Sequence, residues 1–359
     1  MSDLFTPLKV GAITVPNRVW MAPLTRCRAG EGNVPTPLNP TYYAQRAGAG
    51  LIISEATQIS PSGQGYPFTP GIHSSAQRDG WSLVTKAVHA AGGRMVLQLW
   101  HVGRVSHPDF QPGGAAPLAP SPIELTTEAH TPQGKKRRGT PHEMTQPEIR
   151  ACIEDYRNAA RLAKQAGFDG VELHGANGYL PDQFLRDGTN RRTDAYGGSI
   201  ANRARFMLEA LDAIIDVWGP ERVGVRLSPS GTFNQMEDST PRETFGHAVR
   251  ELSARRIAYA HITESTQQDA PPKDAIPVSF FRPLFEGVLV TNGGFTYEKA
   301  MAYLKEGWAD AFAFGVPYIA NPDLAQRFQK FGAKAPLNTP RPDSFYGGTD
   351  VGYTDYPAL

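Results

Sequence analysis

Eight short apolar runs bounded by turn residues recur along this 359-residue chain, and many of the segments between them carry helical periodicity. The runs are Arg18 to Ala22, Leu51 to Glu55, Met95 to Leu99, Val171 to Leu173, Val223 to Leu227, Tyr259 to Thr263, Val288 to Val290 and Ala311 to Phe314. Nearly continuous Val, Ile, Leu, Ala and Phe suits strands covered on both faces, and strands alternating with helices are the pattern of a parallel sheet. Eight of them predict an α/β fold of the (β/α)8 barrel type, with a doubly wound sheet as the second choice. Such barrels use this length for one domain, and no repeat or linker divides the chain, so residues 1–359 are read as a single unit.

The helical segments have readable ends. Thr145-Gln146-Pro147-Glu148 is a capping box, followed at helical spacing by Ile149, Cys152, Ile153, Tyr156 and Ala160. A helix from Asn202 is stopped by Gly219-Pro220, and Asn321-Pro322-Asp323 opens another that ends near Phe331-Gly332. The one long irregular stretch, Val102 to Met144, follows the third strand, and in a barrel it would cap the face where active sites are built. Its basic run, Lys135-Lys136-Arg137-Arg138, reads as a solvated turn.

Charge narrows the partners. The 36 Lys and Arg against 35 Asp and Glu leave a net charge of +1, too little for a field that would hold nucleic acid or an anionic membrane. Two cysteines, Cys27 and Cys152, make neither a disulfide framework nor a CxxC motif. The first residues lack a signal-peptide pattern, and no apolar run approaches the ~18 residues of a membrane span. A cytoplasmic protein is expected; monomer and homodimer stay open.

In a barrel the residues just after each strand should carry the chemistry. Gly293-Gly294 and Gly315 follow strands seven and eight, where bare N–H groups can approach a phosphate, although plain turn chemistry explains Gly293 and Gly294 equally well. No GxxxxGK[ST] or complete GxGxxG occurs. After strand four, His174 and Asn177 stand three apart on a turn, able to converge on one oxygen, with the Tyr179 phenol two residues further as a proton donor. Spacing alone favours a core histidine and a packing aromatic. Arg226, inside an apolar strand, needs a partner, either a structural carboxylate or an electron-rich cofactor. The histidines show no zinc-ligand spacing, so no metal is expected, and no lysine stands at a strand end for Schiff-base chemistry.

At these residues the chain resembles the Old Yellow Enzyme family of flavin-dependent ene-reductases. The likeness runs through Met21-Ala22-Pro23-Leu24-Thr25-Arg26, Ser54-Glu55-Ala56-Thr57, Gln98-Leu99-Trp100-His101, Glu172-Leu173-His174-Gly175-Ala176-Asn177-Gly178-Tyr179, Val225-Arg226-Leu227-Ser228 and Ala320-Asn321-Pro322-Asp323. It implies a non-covalent FMN at the C-terminal mouth, reduced by NADPH or NADH and reoxidised in a ping-pong cycle by an activated alkene, nitro compound or nitrate ester. Pro23, Leu24 and Thr25 would line the flavin ring; Ala56, Gln98 and Arg226 would meet its polar edge. Asn292, Gly293, Gly294 and Gly315 would hold the phosphate. His174 and Asn177 would bind the substrate's oxygen over the flavin, while Tyr179 would protonate the α-carbon after hydride reaches the β-carbon. Tyr66, Trp100 and Tyr346 would shape the substrate pocket. One departure stands out: relatives read Phe-Gly-Arg after strand eight, with the arginine on the phosphate, whereas this chain reads Phe314-Gly315-Val316. A non-catalytic barrel that binds phenols or carbonyl compounds is the alternative. Larger relatives with an iron–sulfur cluster need more cysteines than two.

Overall fold

The computed structural model describes residues 3–264 and 274–359. Eight parallel strands close on themselves: β1 (Val19–Met21), β2 (Ile52–Ile53), β3 (Met95–Trp100), β4 (Gly170–Gly175), β5 (Val223–Leu227), β6 (Tyr259–Thr263), β7 (Val288–Asn292) and β8 (Ala311–Phe314). Each pairs with the next, and β8 returns to β1 with Phe312 opposite Val19, which completes a (β/α)8 barrel. The last three strands of the sequence reading keep their starts, but β3, β4 and β7 run on to Trp100, Gly175 and Asn292. The extra ladder rungs, such as His174 opposite Arg226 and Asn292 opposite Thr263, carry polar residues that an apolar run does not reveal.

Alternation along the strands sorts the core into two sets. Outward residues such as Val19, Leu97, Leu99, Val171, Leu173, Val225, Ile262 and Phe312 are buried under the helices. Inward residues Trp20, Ala22, Ile53, Val96, Tyr259, Val290 and Ala313 pack with Val10, Ile13 and Val15 of an N-terminal hairpin, Leu8–Val10 with Ile13–Val15. That hairpin fills the N-terminal end of the barrel. Gly224 is needed inside it, because a Cβ there would lie 2.1 Å from the Tyr259 ring.

The helix Gln146–Gln165 starts on the expected capping box, with Thr145 and Glu148 bonding reciprocally, and Ser199 caps Ile200–Trp218. The stretch after β3 forms an excursion over the C-terminal face, including a two-stranded hairpin, Glu128–Thr131 with Gly134–Arg137. Its basic run is only partly solvated: Lys136 and Arg137 pair with Asp109 and Glu124 at the surface, but Arg138 is buried and donates to the carbonyls of Val105 and Glu128. Arg138 lies one residue past the strand, where its guanidinium turns inward onto those carbonyls.

Candidate active site

The ends of β3 and β4 and the loop after β2 bring four of the expected residues together. The His174 and Tyr179 rings meet edge to face with centroids 4.9 Å apart, and Trp100 meets Tyr179 at 5.0 Å. Tyr66 stacks on Trp100 at 5.6 Å, and its hydroxyl lies 3.3 Å from that of Tyr179. Because β4 continues to Gly175, His174 is a strand residue; only Asn177 stands on the turn. Asn177 and Gly178 both adopt left-handed backbone, with φ of 59° and 74°. The Asn177 N–H donates to Ser228 Oγ at 2.8 Å and its carbonyl accepts from Asn234 Nδ2 at 2.8 Å, which fixes the turn. A Cβ on Gly178 would come within 2.7 Å of Met236, so glycine is required by space as well as by φ.

Burial sets the protonation states. Desolvation, with the charges of Arg226 and His261 adding to it, holds His174 well below the usual imidazole range, so it is neutral. Its Nδ1 accepts from the Ala176 N–H at 3.4 Å, which leaves the ring proton on Nε2 as a donor. Burial pushes the Tyr179 phenol well above its usual value, assisted by Tyr66 and Tyr346, while the Arg138 guanidinium acts in the opposite sense. Tyr179 therefore keeps its proton at neutral pH.

Beside this cluster lies a seat of unpartnered donors and acceptors. Arg226 is buried, its Nε has no partner, and the guanidinium makes no hydrogen bond with any described residue. Thr263 Oγ1 and Asn292 Oδ1 are buried without partners among the described residues, at the neighbouring strand ends. Pro23, Leu24 and Thr25 leave β1 half-buried, while Ala56 and Gln98 are buried. Gly293 and Gly294 take φ of 118° and 62°, with open space beside Gly294, and Gly315 adjoins Leu24 Cδ2. An orphaned buried cation next to a glycine-lined turn and a half-buried apolar ledge fits a planar, electron-rich ring with an anionic tail.

Tyr346 stands apart from the close cluster, 64% exposed on the C-terminal segment. That segment is clamped by Arg26, which donates to the carbonyls of Phe345 and Gly352 at 2.9 Å each, and by Arg28, which donates to that of Thr349 at 3.0 Å. Tyr353 stacks on Tyr42 at 4.0 Å beneath both guanidiniums. Sequence reasoning missed three groups around the site: Arg138, Glu55 and the buried pair of Glu172 with His261. For Glu55, Glu172 and His261 the available signal was a charge or imidazole in an apolar run, the one used for Arg226; Arg138, in a basic run, carried none.

A profile of the NADH:flavin oxidoreductase / NADH oxidase family matches residues 3–334. The chain belongs to this family. It is 44% identical to 12-oxophytodienoate reductase 1 of Oryza sativa subsp. japonica over 99% of this chain and 93% of that protein. Among solved structures it is similar to morphinone reductase, with 50% identity and a TM-score of 0.95 over 99% of this chain and 96% of that one. An old yellow enzyme homologue from Zymomonas mobilis gives 45% identity and a TM-score of 0.95 over the full length of both chains. Family membership makes the protein an NAD(P)H-dependent flavin oxidoreductase of the Old Yellow Enzyme type with non-covalent FMN as its cofactor. The unpartnered seat around Arg226 agrees with that cofactor. Among the described residues no helix is long and apolar enough to cross a membrane.

Proposed function

We propose that the protein reduces the C=C bond of α,β-unsaturated carbonyl and nitro compounds with NADPH or NADH as reductant, nitrate esters being a further substrate class. When bound, FMN would supply the hydride chemistry that links the nicotinamide to the alkene. Pro23, Leu24, Thr25, Ala56, Gln98 and Arg226 hold the ring, and Asn292, Gly293, Gly294 and Gly315 hold the phosphate. His174, donating from Nε2, and Asn177 bind the substrate's oxygen and stabilise the negative charge that develops on it; each such donor is worth roughly a hundredfold to a thousandfold in rate. Tyr179 gives its phenolic proton to the α-carbon. Tyr66, Trp100 and Tyr346 bound the substrate, and residues 1–359 act as one unit in the cytoplasm.

What carries this reading is the pair of a neutral imidazole and a buried phenol with ring centroids 4.9 Å apart. Neither group titrates near neutral pH, so both are donors when the oxygen arrives. In an anaerobic cuvette NADPH should bleach the flavin and cyclohexenone should restore its colour; bleaching that no enone, nitroalkene or nitrate ester reverses would rule the function out. Tyr179→Phe should slow the alkene step by about a hundredfold to ten-thousandfold, the range of a general acid, and leave flavin reduction near the parent rate. Equal slowing of both half-reactions would remove Tyr179 from its role.

A further inference from the structure

Inside the barrel, four polar side chains occupy neighbouring strands where apolar packing is the norm for such barrels, Arg226 level with His174 and Glu172 one step below it. Gln98 lies opposite Glu172, and Arg226 lies opposite His261. Both oxygens of Glu172 are committed: Gln98 Nε2 donates to Oε1 at 2.7 Å, and His261 Nδ1 donates to Oε2 at 3.0 Å. Glu172 and His261 are fully buried. Arg226 forms no bond to the carboxylate, yet the Glu172 charge acts on its guanidinium. Glu172 therefore touches two of the residues assigned above to the polar edge of the flavin, one through a hydrogen bond and one through its field.

We propose that Glu172 is a positioning residue that sets the reduction potential of the bound flavin through Gln98 and Arg226. This rests on the cofactor seat proposed above. Binding Nε2 fixes the Gln98 amide, so its Oε1 and second N–H have one orientation toward the ring. The buried negative charge also offsets part of the Arg226 charge, which would otherwise favour the reduced, anionic ring without opposition. The His261 donor keeps the carboxylate in place and moderates its field.

The test is the midpoint potential of the flavin-loaded protein, measured by anaerobic dye equilibration. Glu172→Gln keeps the reach of the side chain and removes its charge; the reduction equilibrium should move about ten- to a hundredfold toward reduced flavin, which is about 30–60 mV more positive for a two-electron couple. Glu172→Asp keeps the charge and should return most of that shift. A parent-like potential in Glu172→Gln, or equal shifts in both variants, overturns the proposal. If Glu172→Gln does not fold, His261→Leu is read instead: it strips one donor from the carboxylate, so the potential must move negative, and an unchanged or more positive value overturns the proposal. Arg226→Gln separates the two levels. A parent-like potential there overturns the cofactor seat itself, whereas a shift there with none in Glu172→Gln overturns only the role of Glu172.

Discussion

His174 and Tyr179 owe their chemistry to what surrounds them rather than to their residue types alone. Burial and the Arg226 charge lower the one, and burial raises the other, so the two ordinary titrations move out of the working range in opposite directions. The rate of alkene reduction should therefore be flat from about pH 6 to 9, as read by stopped-flow with prereduced enzyme; a limb with a midpoint between pH 6 and 7 would mean that His174 charges in the working enzyme. Val316 stands where the family resemblance leads one to expect a phosphate-binding arginine. A charge-assisted contact to phosphate is worth about 1.5–3 kcal/mol, so Val316→Arg should tighten FMN binding about ten- to a hundredfold in a fluorescence-quenching titration. Unchanged affinity would show that the glycine turns alone saturate the phosphate. At this scale much was legible: His174, Asn177, Tyr179 and Arg226 all announce themselves as polar residues at or in apolar strands. His261 obeys the same rule, but its partner Glu172 lies 89 residues away, and a separation of that size has no local signature.

Two elements outside the barrel shape the mouth, and each is tied down by arginine. The excursion after β3 is held by Arg104, which donates to the carbonyls of Asn234 and Gln235 at 2.9 and 3.1 Å, and by Arg138. The C-terminal segment is held by Arg26 and Arg28, whose neighbour Glu55 is fully buried with its carboxyl pushed up to about 7 by desolvation, against opposing hydrogen bonds from Arg26 N–H and Tyr43. A folded-state value above the ordinary 4.5 means that the native protein holds this proton longer than the unfolded chain. Its contribution is complete below about pH 4.5 and is lost as pH rises through about 7, a change on the order of 3 kcal/mol. Thermal melts at pH 5, 6 and 7 should show that slope in the parent and a flatter one in Glu55→Gln; identical slopes would place the titration elsewhere. Neither clamp could be read from the chain. Arg138 sits in a run of four basic residues, and only its place just past the hairpin strand separates it from its solvated neighbours.

The whole molecule was the most legible level, because a closed parallel barrel needs strands buried on both sides and these stand out as uninterrupted apolar runs. What escaped was the floor. Leu8–Val10 and Ile13–Val15 are three residues each, too short to show a period, and their role appears only when Val10, Ile13 and Val15 are found packed beneath Trp20 and Tyr259. That plug has a kinetic meaning. With the lower end stoppered, reactants come to the flavin from the mouth where Trp100 and His174 stand, and two that need the same flavin face must queue for it. Double-reciprocal plots at several alkene concentrations should be parallel lines, and a large excess of alkene should slow turnover by blocking the entry of nicotinamide. Intersecting lines would mean that both reactants stand in the room together.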